Sequence, residues 1–253
     1  MRLRAHLVTL VLAAAVPVVI FSIIMVVLFA RQERDAMARG LSETARALVV
    51  ALDRDLTMAI SSLEALAASE HLDTPDLAAF HRHAHRVLPT QQAWESVFLA
   101  EPSGRLLVNT LRPLDAPLHS AADHAYFKDV LATRRPVISD LREGRVAGAP
   151  MITIAVPVMR EGRLRYVVGA GFSLRALAAI FAQQNLPADW TGAILDRDRV
   201  ILARSRAPEP FIGQPATPVL AQRSRESTEG VFEDSTKDGI ATYGVFSRSP
   251  LSG

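Results

Sequence analysis

No charge interrupts the chain from Leu7 to Ala30, and beyond that run the apolar positions settle into spacings of three and four. At about 1.5 Å per residue, a helix over the uncharged run reaches roughly 36 Å, more than a hydrocarbon core of about 30 Å. The pattern predicts an N-terminal membrane span. The run is longer than the apolar region of a secretory leader and ends Val27-Leu28-Phe29-Ala30, with Leu28 where cleavage asks for a small residue, so the span reads as an uncleaved anchor. Leu41, Ala45, Leu48, Leu52, Leu56, Ala59, Leu63 and Leu66 then form one helical stripe, and between Arg31 and Glu70 there is no proline and no glycine but Gly40. The stripe has two readings: a coiled-coil seam between two copies, or a face that packs on the chain's own domain. One helix can serve both with different faces.

Past residue 70 the pattern changes. Thr74-Pro75-Asp76 has the form of an N-cap followed by proline in the first turn, predicting a helix that ends near Leu88, ahead of Pro89. Trp94 to Ala100 and Arg105 to Thr110 read as strands around the turn Glu101-Pro102-Ser103-Gly104. A short helix is predicted over Asp123 to Thr133. Extended segments follow at Pro136 to Leu141, Met151 to Met159 and Leu164 to Phe172, and helix Leu174 to Asn185 closes the unit before Pro187.

The same grammar then returns. Trp190 to Asp196 with Val200 to Ser205 mirrors Trp94 to Ala100 with Leu106 to Thr110, about 95 residues earlier. Val219-Leu220-Ala221 echoes Val130-Leu131-Ala132, Gly230 to Asp234 stands where Pro136 to Asp140 stood, and Ile240 to Phe246 where Ile152 to Val158 stood. The order implies an internal duplication of one α+β unit. By the same analogy Ser247 to Gly253 should be a hairpin leading to one more strand. Without that strand the second sheet carries an open edge, and the sequence reads as the N-terminal fragment of a longer protein.

Composition narrows the function classes. Hydrophobic residues are 49% of the chain and mean hydropathy is +0.19. The isoelectric point near 9.4 invites a nucleic-acid reading. Yet of 28 basic residues Arg2 and Arg4 precede the apolar run, and the other 26 balance 26 acidic ones. The folded part is neutral and offers no electrostatic case for DNA or RNA. Cysteine is absent, which excludes disulfides, thiolate metal sites and cysteine nucleophiles. Arg2 and Arg4 on one side of the run face Arg31, Arg34 and Arg39 on the other, so charge leaves the orientation open. No G-x-S-x-G, phosphate-binding loop or H-E-x-x-H occurs, and Gly169-Ala170-Gly171 lies inside a strand pattern. The chain reads as no enzyme, with no cofactor and no resident metal.

With the span, the long helix and the two antiparallel units, the segments Asp123-His124-Ala125-Tyr126-Phe127, Ile152 to Pro157 and Ile194 to Ser205 resemble the double-Cache sensor family, the extracytoplasmic, PAS-like ligand-binding modules of bacterial receptors. The resemblance implies an α+β chain in four parts: a cytoplasmic tail and transmembrane anchor over 1–30, a stalk helix over 31–70, a membrane-distal PAS-like ligand-binding domain over 71–186, and a membrane-proximal PAS-like domain over 187–253 that lacks its last strand. It further implies a small-molecule ligand, a homodimer joined through the stalk, and a periplasmic sensor held in the bacterial inner membrane. The output in the longer receptor would be a histidine kinase, a cyclic-di-GMP enzyme or a chemoreceptor. The alternative is an envelope structural protein that binds a partner protein through its duplicated sheets and exposes an apolar patch in place of a pocket.

In amino-acid-binding members of that family an arginine two residues before an aromatic pair clamps the ligand carboxylate, and an acid two residues after the pair completes the site. Here Tyr126 and Phe127 take the place of the pair and Asp129 that of the acid, while His124 stands where arginine is expected. A neutral imidazole lacks the permanently charged fork of a guanidinium, which argues against an α-amino acid. A small carboxylate at mildly acidic pH, a polar organic ligand and an amine facing Asp129 stay open. Tyr126 and Phe127 also read as ordinary helix-to-sheet core, and Asp123 reads either as a ligand contact or as an N-cap of the short helix. Ser139 and Asp140 end the strand after the short helix, where family pockets are lined, or make a turn. Arg142 and Arg145, in the polar loop Leu141 to Ala149, read either as cover for an anion or as ordinary surface arginines. Trp94 reads as sheet core, and Arg199 sits in a hairpin turn where the family usually has glycine. His81 and His85 share a helix face and His83 points about 200° away, a solvated face or, less simply, a two-histidine metal contact.

Overall fold

The structure is a computed structural model that describes residues 2–74, 76–187 and 189–253, with side chains described from residue 20 onward except those of residues 30 and 35. The stripe without helix breakers forms one helix, α1 (Arg2–Ala67). Leu56, Ala59, Leu63 and Leu66 are buried, and Leu41, Ala45, Leu48 and Leu52 are half-buried along the same face. The stripe therefore packs on the chain's own sheets. Met37, Val50 and Met58 are exposed. The C-terminal end of α1 is held by Arg160, whose Nη2 donates to the Ala67 carbonyl at 3.0 Å while its Nε donates to Asp73. A cation there satisfies an orphan carbonyl and complements the helix dipole. Much of the expected span, Leu7 to Ala30, falls on side chains outside the described residues. Among the described residues no helix is long and apolar enough to cross a membrane.

Helix α2 (Leu77–Val87) starts later than the Thr74 reading placed it. Its N-cap is Asp76, whose carboxylate accepts the Ala79 N–H at 2.8 Å. A charged acceptor at the positive end of a helix outranks a threonine hydroxyl. Pro75 lies outside the described residues.

Six strands make the main sheet: β1 (Trp94–Ala100), β2 (Leu106–Asn109), β3 (Val137–Ile138), β4 (Arg142–Glu143), β5 (Pro150–Arg160) and β6 (Arg163–Ser173). They pair antiparallel in the order β2-β1-β6-β5-β3, with β4 also on β5. The segment expected to be extended from Pro136 to Leu141 shortens to β3. The reason is Ser139, whose hydroxyl accepts the Thr153 N–H at 2.8 Å in place of a backbone carbonyl and ends the ladder.

The alternation of strand side chains divides the core. Toward α1, α2 and α4 (Leu174–Gln183) the sheet sends Val97, Leu99, Ile154, Val156, Val168 and Phe172. Toward α3 (Ala125–Thr133) it sends Phe98, Ala100, Ala155 and Val167, which meet Tyr126, Phe127 and Val130. Each fully buried aliphatic or aromatic side chain contributes about 1.5–3 kcal/mol.

The second half has two separate hairpins, β7 (Ala193–Leu195) with β8 (Ile201–Arg204) and β9 (Glu229–Ser235) with β10 (Ala241–Ser247), and between them α5 (Pro218–Glu226). Arg199, in the β7–β8 turn, has φ 68°, a region that costs a non-glycine residue on the order of 1 kcal/mol. Its guanidinium holds the turn by donating to the Ser224 hydroxyl at 3.0 Å and the Ser224 carbonyl at 3.1 Å. After β10 the chain turns around Ser249, whose hydroxyl accepts from the Ser252 N–H at 2.8 Å and donates to Asp53 of α1 at 2.5 Å.

Candidate ligand site

Between α3, the loop after β4 and the β1-β6-β5 face lies a cavity of about 50 Å³. Gly171 forms part of its floor. A Cβ there would sit 2.8 Å from the Ser96 Oγ and 2.9 Å from the Met151 Sδ, while at Gly169 the missing side chain makes room for the Phe98 ring, 2.3 Å from where a Cβ would stand. Glycine inside a strand marks such a close approach.

Arg142, on β4, reaches over this floor. Its Nη1 donates to the Thr153 hydroxyl at 2.9 Å, its Nη2 lies 3.4 Å from His124 Nε2, and its guanidinium carbon is 5.3 Å from the centre of the Tyr126 ring. His124 stacks on the same ring at 5.5 Å. The Arg142 Nε is buried and has no hydrogen-bond partner among the described residues. Arginine only donates, so His124 Nε2 faces it as an acceptor and the neutral imidazole carries its proton on Nδ1. Burial, then the charges of Arg142 and Arg145, hold His124 below the ordinary histidine range. Burial also raises the Tyr126 phenol and lowers Arg142. Arg145, His119, Ser120, Asn109, Ser96 and Thr153 complete the polar lining, and no carboxylate lines the cavity among the described residues.

Of the residues singled out from the sequence, Tyr126, His124, Arg142 and Arg145 line this cavity. Phe127 is fully buried in the core between α3 and the sheet. Asp129 and Asp123 are exposed on and before α3. The N-cap of α3 is His124 and not Asp123, because the helix begins one residue past it, at Ala125. The Ser139 hydroxyl is engaged by Thr153 N–H and the Asp140 carbonyl. Asp140 looks away from the cavity and pairs in a fork with Arg197 of the β7–β8 turn, at 3.0 and 2.9 Å. Next to it the Leu141 N–H donates to Asp196 Oδ2 at 3.1 Å. Trp94 is core. His81 and His85 approach to 3.2 Å between their Nε2 atoms, His83 packs edge-on to His71, and no group of three metal-binding side chains occurs among the described residues. Ser96, Asn109, Met151 and Thr153 are functional-site residues that the sequence does not mark: each reads as an ordinary strand residue, and only Gly171 on the neighbouring strand signals the close approach beside them.

No protein-family model matches the chain, and no match to a curated protein was found. Solved structures do match. The extracellular domain of a candidate histidine kinase superposes with a TM-score of 0.75 at 16% identity, covering 86% of this chain and 91% of that one. A methyl-accepting chemotaxis protein gives 0.72 at 17% identity, covering 88% and 96%. The ligand-binding domain of the Pseudomonas aeruginosa PAO1 amino-acid chemoreceptor PctC, in complex with GABA, gives 0.59 at 22% identity, covering 82% and 96%. The fold is that of Cache-type sensor domains. A further neighbour, the ligand-binding domain of the Pseudomonas fluorescens chemoreceptor CtaA in complex with L-valine, gives a TM-score of 0.63 at 15% identity, covering 85% of this chain and 99% of that one.

Proposed function

We propose that the chain is the extracytoplasmic input module of a bacterial transmembrane receptor, and that it senses a small anion, a carboxylate of a few heavy atoms, in the cavity beside α3. Arg142 carries this reading. Three other arginines, Arg46, Arg105 and Arg197, each turn Nε and Nη2 as a fork onto a carboxylate. Arg142 has Nη1 spent on Thr153 and one Nη2 hydrogen turned to His124, and it presents Nε with the second Nη2 hydrogen beside a cavity with no acid in its lining among the described residues. A buried guanidinium N–H left unmet costs on the order of 1–3 kcal/mol or more, and an incoming carboxylate would meet it in two charge-assisted bonds. At about 10–15 Å³ per water-sized group, the cavity holds about three to five heavy atoms. GABA and L-valine, named for two of the structural neighbours, are carboxylates too, but larger.

The receptor reading places the anchor over residues 7–30, where Ile20, Phe21, Ile23 to Phe29 are exposed large apolar side chains, and the two lobes over 71–186 and 187–253 as tandem PAS-like domains. Dimerisation through the exposed Met37, Val50 and Met58 of α1 belongs to the same proposal, as do a periplasmic location and an output domain elsewhere in the receptor. A ligand would act by its differential affinity for two arrangements of the distal lobe. The test is titration calorimetry with thermal-shift measurement on the purified chain in detergent, with acetate and propionate against acetamide and propionamide. Binding of the acids and not the amides is expected. Equal behaviour of acid and amide, or no response to millimolar acid, would overturn it.

A further inference from the structure

The apolar lining of the cavity beside α3 includes Phe98, Leu106, Leu111 and Met151. Leu111 is exposed and Leu106 half-buried. The Phe98 ring is fixed, since it fills the room left at Gly169 and packs edge-on to Tyr126 at 6.4 Å. Met151 differs from all three, being 3% exposed and having an unbranched, flexible side chain that adapts to the space it is given.

Met151 also stands next to the cation. It is the register partner of Arg142 where β4 pairs with β5, and directly opposed residues send their side chains to one face of a sheet, with Cβ atoms about 4.5–5.5 Å apart. The thioether end lies between two glycines. A Cβ on Gly144, in the loop after β4, would stand 2.6 Å from the Met151 Cε and 2.9 Å from its Sδ, and one on Gly171 would stand 2.9 Å from the Sδ and 3.4 Å from the Cε. Neither glycine has a left-handed backbone, so these positions use the missing Cβ and not freedom of φ. What the two glycines make room for is the methionine.

We infer that Met151 is the specificity-determining residue of this site, closing the cavity beside Arg142 to unbranched acids longer than propionate. The inference rests on the anion reading above. An acid held on Arg142 Nε and Nη2 brings its tail into the space that the thioether bounds. At about 10–15 Å³ per heavy atom, the cavity of about 50 Å³ is full at about five heavy atoms, the size of propionate. Replacing Met151 by alanine removes the Cγ, Sδ and Cε atoms and adds about 30–45 Å³, room for about three more carbons.

The probes are acetate, propionate, butyrate and pentanoate, titrated calorimetrically into the full chain in detergent. The parent should bind acetate and propionate and lose affinity at least about tenfold at butyrate. In Met151→Ala the order reverses: each methylene moved from water into the opened apolar space gains about fourfold, so pentanoate should bind at least about tenfold tighter than acetate. Met151→Val suits a strand and also lacks the thioether end, so it should shift the order the same way by a smaller factor even if the alanine variant does not fold. A parent that binds pentanoate as tightly as acetate overturns the inference, as does an alanine or valine variant that binds acetate with the parent's chain-length order unchanged. In both cases the anion reading stands. No binding of any acid to the parent and the variants refutes the anion reading itself, and this inference with it.

Discussion

Replacing Arg142 by methionine keeps much of the side-chain volume and removes the charge. The variant loses the Nη1 bond to Thr153 and the longer Nη2 contact with His124, together worth about 1–2 kcal/mol, and is relieved of a half-buried cation whose Nε has no partner among the described residues. These effects oppose each other, so the ligand-free melting temperature should move by no more than about 2–4 °C, the equivalent of about 1 kcal/mol in a chain of this size. Binding is another matter. The Nε and Nη2 edge would give an anion two charge-assisted bonds at about 1.5–3 kcal/mol each; the lower figure, allowing for water reaching the loop around Arg145, totals about 3 kcal/mol. Acetate affinity measured by calorimetry should therefore fall at least about a hundredfold, with Arg142→Lys in between because it keeps the charge without the fork. An Arg142→Met protein that binds acetate as well as the parent, or one that melts far lower without ligand, would show that Arg142 is a structural strut and not a ligand contact.

His124 gives the binding a pH dependence. Burial and two arginines hold its imidazole low in the free protein, and a bound anion would raise it, so affinity is greatest below the free-state value and is lost as pH rises through the bound-state value. Calorimetry in two buffers of different ionisation enthalpy should show proton uptake on binding, and release or no exchange contradicts this. In the unliganded protein the same low value makes folding stability fall as pH drops below the unfolded histidine value of about 6.5. Gly171→Ala places a methyl within 3 Å of Ser96 Oγ and Met151 Sδ, so it should cost about 1–3 kcal/mol in chemical denaturation and shrink the cavity enough to favour formate over propionate; an unchanged preference would place the ligand elsewhere. Asp140→Ala cuts the fork to Arg197, a pair with side chains 32% and 45% exposed, so stability should drop by less than about 1 kcal/mol. Amide exchange at Leu141 and Arg142 should nonetheless quicken, and an unaltered rate would mean that the β7–β8 turn does not hold the Arg142 segment.

Periodicity revealed the long helix and most strands because each of them has one face to bury. The stripe from Leu41 to Leu66 is unambiguous as a helix, yet its partner was not readable, since packing on a sheet and packing on a second copy ask for the same spacing. Boundaries failed where a side chain replaces a backbone group: Asp76 displaced Thr74 as a cap, and the Ser139 hydroxyl ended β3 early. The aromatic pair split because adjacent helix residues point about 100° apart, which sends Tyr126 to the cavity and Phe127 to the core. The polar loop marked Arg142 and Arg145 as able to cover an anion or as plain surface arginines, and nothing in their neighbours decides between the two, because the contact of Arg142 with Tyr126 and Thr153 is made across the fold. The pairing of Asp140 with Arg197, 57 residues away, has no local signature at all.

One rod, α1, packs on β5 of the main sheet and on β10 of the second half. Whatever tilts it is felt on both sides at once. Should a tilt sharpen the hold on acetate by some factor, acetate must favour that tilt by the same factor, so the second half can register the guest of the first without touching it.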